Sequence, residues 1–273
     1  MTAAAARTTP SRPIVAAVLV AGGRGRRMAH PNGATPHAGG PTRPKQFLSL
    51  AGRPILTHTI ERFEAAEEIG RIIIVVPPGT EETCADEMVR PFGFHKVTAI
   101  VAGGEERQDS VAHGLAALPD DVEWVAVHDG VRPCVTPDQI AAVIEAAARF
   151  DGAVLAVPLK DTPKQVGADG VIQQTIPRSQ IWLAQTPQVF RRTLLQEAHA
   201  RAAADGVLGT DDAALVERLG YRVTVVEGSY ANIKITTPDD LPVAERWLAS
   251  HRASASRHPL PTDPLHDTHR PRV

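Results

Sequence analysis

Cysteine is scarce in this sequence, and neither a long hydrophobic run nor an excess of one charge is present. The two cysteines, Cys84 and Cys134, are too few for a disulfide scaffold and lack metal-ligand spacing, which favours a reducing compartment. Lysine plus arginine (29) nearly balance aspartate plus glutamate (31), so the composition gives no reason to expect a nucleic-acid or membrane partner. No apolar run approaches the roughly 20 residues of a transmembrane helix. We therefore expect a cytoplasmic protein whose important charges are local.

Two common nucleotide-binding fingerprints are also missing. A P-loop needs a glycine, four further residues and then Gly-Lys-Ser or Gly-Lys-Thr, and this pattern occurs nowhere in the chain. The loop GRGRRM of residues 23–28 has Met28 where a dinucleotide-binding fold has a third glycine or alanine. About 20 residues further on, where such a fold places an acid for the ribose, the chain has Arg43 and Lys45. These absences argue against an NAD-dependent oxidoreductase.

What the sequence does contain is an alternation of short apolar runs with stretches of helical periodicity. The apolar runs, which predict strands, lie at residues 14–20, 71–76, 97–101, 123–127 and 152–157. The helical stretches lie at residues 55–66, 81–90, 109–118, 137–150, 193–204 and 211–219. This order predicts an α/β fold with a doubly wound, mostly parallel sheet, in which ligands bind beyond the carboxyl ends of the strands.

Changes in composition set the predicted domain boundaries. Residues 158–181 are polar, poorly periodic and rich in Gln, Lys, Thr and Pro, which predicts a protruding arm. Residues 251–273 are rich in Ser, His, Arg and Pro, and we expect this tail and residues 1–12 to be disordered. The remaining chain, residues 13–250, is predicted to form a single domain.

The first predicted strand ends in the segment LVAGGRGRRM, residues 19–28. Glycine has no side chain and lets backbone amides approach a ligand closely, and a following helix N-terminus would add partial positive charge. Together with the arginines, this pattern predicts an anion site whose natural guest is a phosphate. The alternative is a tight turn with solvated arginines.

The segment HDGVRP, residues 128–133, places Asp129 directly after a predicted buried strand and Arg132 three residues later. A carboxylate at the end of such a strand can hold Mg²⁺ through one or two oxygens while a triphosphate supplies further ligands. The alternative is a turn aspartate that caps its own backbone.

Three further polar positions gain interest only in combination. Lys45 follows a proline in PKQFLSL, and Lys234 alternates with isoleucines in a predicted β-type run; each lysine by itself would normally face solvent. With the arginines of the first loop, they would form the set of preplaced cations that phosphoryl chemistry needs. Thr210 in GTDDA is predicted to be a helix N-cap, and capping alone would explain this segment.

Taken in order, several segments resemble the 2-C-methyl-D-erythritol 4-phosphate cytidylyltransferase family. The segments are AGGRGRRM, PKQFL, GGEERQDSV, VHDGVRP, PLKDTPK, AQTPQVF, GTDDA and NIKITTPDDL, and the resemblance runs from about residue 14 to residue 248. It implies that CTP and a sugar-alcohol phosphate meet at one Mg²⁺. An oxygen of the substrate phosphate would attack the α-phosphorus of CTP and expel pyrophosphate, without a covalent enzyme intermediate.

The resemblance also implies roles for individual residues. Those implied to surround cytosine and ribose are Ala21, Gly22, Gly23, Gly104, Glu105 and Ser110. Arg27 and Lys45 would grip the triphosphate, and Asp129 would bind the metal. The residues implied for the methylerythritol phosphate pocket are Arg132, Thr186, Thr210 and Lys234, with Lys234 also neutralising the attacked centre. The resemblance further implies a homodimer, in which the arm would bring Thr162 and Arg178 to the substrate phosphate of the neighbouring subunit.

Two departures from the family pattern stand out, and two rival functions stay open. The first departure is residues 29–43, which lengthen a connection that is short in the family; this insertion is either a lid or a tolerated lengthening of a surface loop. The second is Gln108, which stands where a small residue is common. One rival is a cytidylyltransferase of the same build that acts on ribitol 5-phosphate. The other is a non-catalytic nucleotide-binding module, which should have lost Lys45, Asp129 or Lys234; all three are present.

Overall fold

A seven-stranded sheet forms the centre of the protein in the computed structural model, which describes residues 13–23 and 43–255. In chain order the strands are β1 (Val15–Val20), β2 (Ser49–Leu50), β3 (Arg53–Pro54), β4 (Ile69–Val76), β5 (Val97–Ala102), β6 (Trp124–Asp129), β7 (Gly152–Pro158), β8 (Lys164–Val166), β9 (Ile172–Thr175), β10 (Trp182–Arg191) and β11 (Val223–Glu227). The predicted segments 1–12, 29–42 and most of the tail, 256–273, lie outside the described residues.

The central sheet has the strand order β11-β7-β10-β6-β1-β4-β5. β1 pairs in parallel with β4 and β6, β4 pairs in parallel with β5, and β7 pairs in parallel with β11. β10 runs antiparallel to both of its neighbours, β6 and β7. The predicted mostly parallel sheet is therefore confirmed, with one reversed strand inside it.

Seven helices pack around the sheet within the described ranges. They are α1 (Ile55–Ala65), α2 (Glu81–Cys84), α3 (Arg107–Ala116), α4 (Pro137–Ala147), α5 (Arg192–Ala204), α6 (Asp212–Arg218) and α7 (Asp240–Ala255). The predicted helix 81–90 is instead a short α-helix followed by a π-turn, Ala85–Val89, and a 3-10 turn, Arg90–Phe92. None of these helices is both long and apolar enough to cross a membrane.

Both faces of the sheet are buried, as expected for a doubly wound fold. Strand β1 shows this directly, because its side chains alternate between two hydrophobic clusters. Val15, Ala17 and Leu19 pack with α1 and α4, whereas Ala16, Val18 and Val20 pack with α3, α5 and α6. A third cluster lies under α7 and includes Leu50, Ile55, Val131, Ile235 and Leu248. The packing of this cluster holds the chain segments around Val131 and Ile235 next to the edge of the sheet at which β1 and β6 end.

The sequence pattern does not predict β10, β11 or α7. β10 reads WLAQTPQVFR, in which Gln and Pro interrupt the apolar pattern, yet Gln185, Thr186 and Gln188 are buried there. α7 continues to Ala255, so the predicted domain boundary at 250 falls inside a helix. The predicted arm contains the antiparallel hairpin of β8 and β9, whose residues are all exposed.

Candidate active site

A cleft of about 250 Å³ opens at the carboxyl ends of β1, β5 and β6. Its described lining residues are Val20, Ala21, Gly22, Gly23, Lys45, Gln46, Gly104, Glu105, Glu106, Arg107, Ser110, Asp129, Val131 and Lys234. The structure thus brings together nine of the residues that the sequence singles out, from five separate parts of the chain. This is the edge of the sheet at which parallel α/β folds bind their ligands.

One wall of the cleft is made where the turns after β1 and β5 touch. A Cβ atom at Gly22 would lie 2.9 Å from Oγ of Ser110, and one at Gly103 would lie 2.7 Å from the same atom. Ser110 joins the two turns, since its Oγ accepts the amide hydrogen of Gly104 at 3.1 Å and donates to the carbonyl of Glu106 at 3.1 Å. Glycine is required at both places by this close approach, which leaves a wall of bare backbone.

The 3-10 turn Lys45–Phe47 holds the loop after β1 from the other side. The buried amide of Gln46 donates to the carbonyl of Ala21 and to that of Gly23, the latter at 3.2 Å. Lys45 Nζ donates to the carbonyl of Ile235 at 3.0 Å. This turn therefore ties the glycine loop to the chain segment that carries Lys234.

Asp129 lies at the centre of the charged part of the site. Its Oδ1 accepts from Arg107 Nε at 3.3 Å, and its Oδ2 accepts from Arg132 Nε at 3.3 Å and from Lys234 Nζ at 2.9 Å. The backbone amide of Asp129 donates to Thr186 Oγ1 at 3.1 Å. Burial by itself would raise the pKa of Asp129, but the charges of Lys234, Arg107 and Arg132 hold it well below its usual range. The carboxylate is ionised at every pH at which the protein would work.

Thr186 and Lys234 are connected through a buried asparagine. Asn232 Nδ2 donates to the carbonyl of Thr186 at 3.0 Å, and the carbonyl of Asn232 accepts from Arg132 Nη1 at 2.8 Å. The prediction that Lys234 lies in a β-type run is wrong. The segment is irregular, and it is fixed by Asn232 and by the amide of Ile235, which donates to the carbonyl of Val131 at 2.9 Å.

Arg107 is a charged site residue that the sequence pattern did not predict. It is the first residue of α3, it lines the cleft, and besides Asp129 it contacts Asp212, with Nη1 at 2.8 Å from Oδ2. Burial would lower the pKa of Arg107, but the two carboxylates raise it above its usual value. A signal was present in GGEERQDSV, because an arginine in the first turn of a helix opposes the helix dipole and needs compensation from elsewhere.

Three predicted residues lie away from the cleft, and a fourth is not described. Thr162 and Arg178 are exposed on the arm, where Arg178 Nη1 donates to the carbonyl of Lys160 at 2.6 Å. Thr210 is exposed and is not the N-cap of α6. That place belongs to Asp211, which has extended backbone and accepts the amide hydrogen of Ala214 at 2.9 Å. Arg27 lies outside the described residues.

Comparison with known proteins agrees with this geometry. A family model described as 2-C-methyl-D-erythritol 4-phosphate cytidylyltransferase matches residues 15–250. A protein of that name from Pelotomaculum thermopropionicum is 50% identical over 238 residues, which cover 87% of this chain and 95% of the relative. Another from Syntrophus aciditrophicus is 48% identical over 237 residues, which cover 87% of this chain and 97% of the relative.

Solved structures give the same result for the fold. The 4-diphosphocytidyl-2C-methyl-D-erythritol synthase of Anaerococcus prevotii superposes with a TM-score of 0.74 at 29% identity, over 87% of this chain and 96% of the other. The 2-C-methyl-D-erythritol 4-phosphate cytidylyltransferase of Thermus thermophilus gives a TM-score of 0.67 at 34% identity, over 87% of this chain and 99% of the other. With the match spanning nearly the whole described domain, this chain belongs to the 2-C-methyl-D-erythritol 4-phosphate cytidylyltransferase family, the nucleotidyltransferases of isoprenoid biosynthesis.

Proposed function

We propose that the protein transfers the cytidylyl group of CTP to 2-C-methyl-D-erythritol 4-phosphate and releases pyrophosphate, in the cleft beside Asp129. The observation that carries this proposal is the arrangement of a bare backbone wall next to a single carboxylate ringed by cations. The wall at Gly22, Gly103 and Ser110 leaves room for a flat base close to the main chain. The cations suit two anionic substrates, and their contacts with Asp129 hold three of them together.

The reaction asks for positioning and charge stabilisation rather than for a protein nucleophile. An oxygen of the substrate phosphate forms a bond to the α-phosphorus of CTP. The bond from that phosphorus to the oxygen that bridges to the β-phosphate breaks, and pyrophosphate leaves with the bridging oxygen and its electron pair. Lys45 and Lys234 are proposed to neutralise the charge that gathers on the α-phosphate oxygens. Arg27, outside the described residues, is proposed to bind the triphosphate with them.

Asp129 fits the role of a magnesium ligand. An ionised carboxylate offers about four acceptor positions, and the contacts with Arg107, Arg132 and Lys234 use three of them. No group of three or more His, Cys, Asp or Glu residues that could hold a metal is found in the described ranges, so the phosphates would have to supply most ligands. Mg²⁺ commonly binds in this way, through one or two carboxylates and substrate phosphates. When bound, the ion would neutralise part of the triphosphate charge.

The active unit is proposed to be a homodimer in which the arm of one subunit reaches the site of the other. The arm exposes apolar side chains that water does not favour: Val166, Val171 and Ile172 are 49%, 60% and 57% exposed. Trp182 and Leu183, where the arm rejoins the sheet, are 37% and 47% exposed. Several exposed apolar side chains on one segment are typical of an interface. Such a dimer would give Thr162 and Arg178 a route to the substrate phosphate.

The proposed location is the cytoplasm. Both cysteines of the chain, Cys84 and Cys134, are free and buried, and burial raises the pKa of each thiol to about 12. Nothing about these thiols requires an oxidising compartment, and CTP is a cytoplasmic nucleotide.

Pyrophosphate release tests the proposed function. The purified protein is incubated with CTP and Mg²⁺ and with either 2-C-methyl-D-erythritol 4-phosphate or ribitol 5-phosphate, and ATP, GTP and UTP serve as nucleotide controls. We expect release only with CTP and the methylerythritol substrate. Preference for ribitol 5-phosphate would overturn the proposed substrate, and the absence of pyrophosphate release with both acceptors would overturn the enzymatic function.

A further inference from the structure

Two adjacent side chains at the start of α3, Arg107 and Gln108, bind the chain segment of residues 207–212 at both of its ends. Gln108 Nε2 donates to the carbonyl of Val207 at 3.1 Å, and Gln108 Oε1 accepts the amide hydrogen of Gly209 at 3.0 Å. Arg107 Nη1 donates to Asp212 Oδ2 at 2.8 Å. Thr210, exposed, lies between these contacts. The path of this segment is therefore set from α3, which is about 100 residues away in sequence.

Arg107 also reaches the centre of the cleft. While Nη1 binds Asp212, Nε binds Asp129 Oδ1 at 3.3 Å. One guanidinium group therefore bridges a carboxylate at the end of β6 and a carboxylate at the start of α6. The planar fork of arginine presents several donors in fixed directions, whereas the ammonium group of lysine is a single point charge. Lysine at this position would face the two carboxylates with a single point charge and without donors in fixed directions.

The far end of the bridge is itself held firmly. Asp212 is 1% exposed, and its second oxygen lies 3.0 Å from Nε2 of the buried His199. The amides of Asp212 and Ala213 both donate to Gln188 Oε1, at 3.1 and 3.0 Å. Burial would raise the pKa of Asp212, but Arg107 and His199 hold it below its usual value, so the carboxylate stays charged. Arg107 is thus anchored on a fixed, ionised partner.

Helix α3 does not need these two side chains in order to form. Its first turn is closed by a capping box between Glu106 and Asp109, and the amide of Glu106 donates to Asp109 Oδ2 at 3.1 Å. An arginine in the first turn is unfavourable to the helix dipole, so Arg107 weakens the helix locally. Its contacts and those of Gln108 serve the connection between parts of the site rather than the helix.

We propose that Arg107 and Gln108 are positioning residues that join the Asp129 centre to the segment 207–212. Arg107 fixes the carboxylate of Asp129, and Gln108 fixes the backbone that carries Thr210, so the segment 207–212 keeps one separation from the Asp129 centre. This inference rests on the proposed transfer to a sugar-alcohol phosphate and on the acceptor-binding role that the sequence resemblance implies for Thr210. It assigns a purpose to Gln108, the residue at which the sequence departs from the family pattern.

The sharpest test is Gln108→Ala, with Gln196→Ala as the matched control. Gln196 is a half-buried glutamine of α5 whose side chain makes no hydrogen bond within the described ranges. We expect Gln108→Ala to raise the KM for 2-C-methyl-D-erythritol 4-phosphate about tenfold and to leave the KM for CTP within about twofold, because the nucleotide wall does not involve residues 207–212. An unchanged acceptor KM, or an equal rise for both substrates, would overturn the role of Gln108.

Arg107→Lys and Asp212→Asn test the bridge. Each is expected to lower kcat at least about tenfold and to raise the Mg²⁺ concentration needed for the half-maximal rate. The decrease in kcat of the double variant is expected to be well below the product of the two single decreases. Arg149→Lys, on an exposed arginine of the surface, is the control. Wild-type kinetics in Arg107→Lys, or fully multiplicative effects, would show that no bridge operates.

Hydrogen exchange separates this inference from the proposed function. If the wild-type protein releases no pyrophosphate, the proposed function fails, but the bridge can still be measured through the amides of residues 207–212. We expect their exchange to be at least about tenfold faster in Gln108→Ala than in Gln196→Ala, while the amides of β6 are unchanged. Equal exchange in the two variants would overturn the positioning role whatever the activity.

Discussion

The ammonium group of Lys234 lies 2.9 Å from Oδ2 of Asp129. The side chain of Asp129 is 8% exposed, whereas that of Lys234 is 35% exposed. The lysine therefore rests on a buried counter-ion while part of it stays open to the cleft. This pairing holds a cation in place in advance, so little reorganisation is needed when negative charge develops on a bound phosphate.

We expect Lys45→Ala and Lys234→Ala to fold normally and to turn over at least about a hundredfold more slowly. Loss of one cation that stabilises the transition state costs about 2–4 kcal/mol, by comparison with removal of a single oxyanion donor. The measurement is kcat from pyrophosphate release, with the melting temperature as a check on folding. Arg149→Ala, in a solvent-exposed ion pair, should behave like the wild type. Near-wild-type turnover in either lysine variant would remove that lysine from the proposed mechanism.

Asp129→Asn should lower both activity and stability. The substitution removes the negative charge that Arg107, Arg132 and Lys234 share, and it leaves three neighbouring cations to repel one another. Because these cations are partly solvated, we expect the free energy of unfolding to fall by about 1–3 kcal/mol, less than for a fully buried pair. Urea unfolding at pH 7 measures it.

Asp120→Asn is the control for this change, since Asp120 pairs with Arg192 but is fully exposed. Its effect should be close to zero. Equal free energies of unfolding for Asp129→Asn and Asp120→Asn would contradict the expectation that Asp129 stabilises the cation cluster.

Magnesium should bind the protein weakly by itself and much more tightly together with CTP. Three cations surround Asp129 and repel a fourth until the triphosphate brings negative charge. By linkage, Mg²⁺ should strengthen CTP binding by the same factor, which we expect to be at least about tenfold. Calorimetric titration of CTP with Mg²⁺ and with EDTA measures this factor, and a separate titration uses Mg²⁺ alone. Tight binding of Mg²⁺ without nucleotide would contradict the expectation.

Asp240 should make the start of α7 sensitive to acid. Its Oδ2 accepts the amide hydrogens of Thr236 and Thr237 at 2.8 and 2.9 Å, just after the segment that carries Lys234. Burial would raise the pKa of Asp240, but these hydrogen bonds hold it below its usual value. The stabilisation is therefore complete above about pH 4 and is lost as the pH falls through the lowered pKa of the folded state.

Asp240→Ala should accordingly reduce the free energy of unfolding by about 1 kcal/mol at pH 7, as for loss of a capping side chain. The difference from the wild type should shrink as the pH falls below about 4 and through the lowered pKa of the folded state, because the carboxyl group then becomes protonated in the folded chain as well. Asp239→Ala, at the exposed neighbouring carboxylate, should change little at either pH. A difference that does not depend on pH would show that the charge of Asp240 plays no part.

The arrangement of strands and the place of the nucleotide wall follow from local patterns. Continuous β-branched runs such as residues 71–76 are buried on both faces of a parallel sheet, and the ends of parallel strands converge at one edge. For this reason the sequence predicts that Gly22, Gly104 and Asp129 lie close together. The same reasoning misses β10, whose Gln and Pro residues read as a loop, because its buried polar groups find hydrogen-bond partners only after the neighbouring segments have packed.

The sequence by itself determined the α/β architecture, the glycine-lined edge and the presence of Asp129, Lys45 and Lys234, since each depends on residues close together along the chain. Only the tertiary structure decided which charges meet. Arg107 is 22 residues from Asp129 and 105 from Asp212, yet one guanidinium group binds both. Local periodicity places a side chain on one face of a helix or strand, whereas the choice of ionic partner is made by the packing of distant segments and by the cost of leaving a buried charge unpaired.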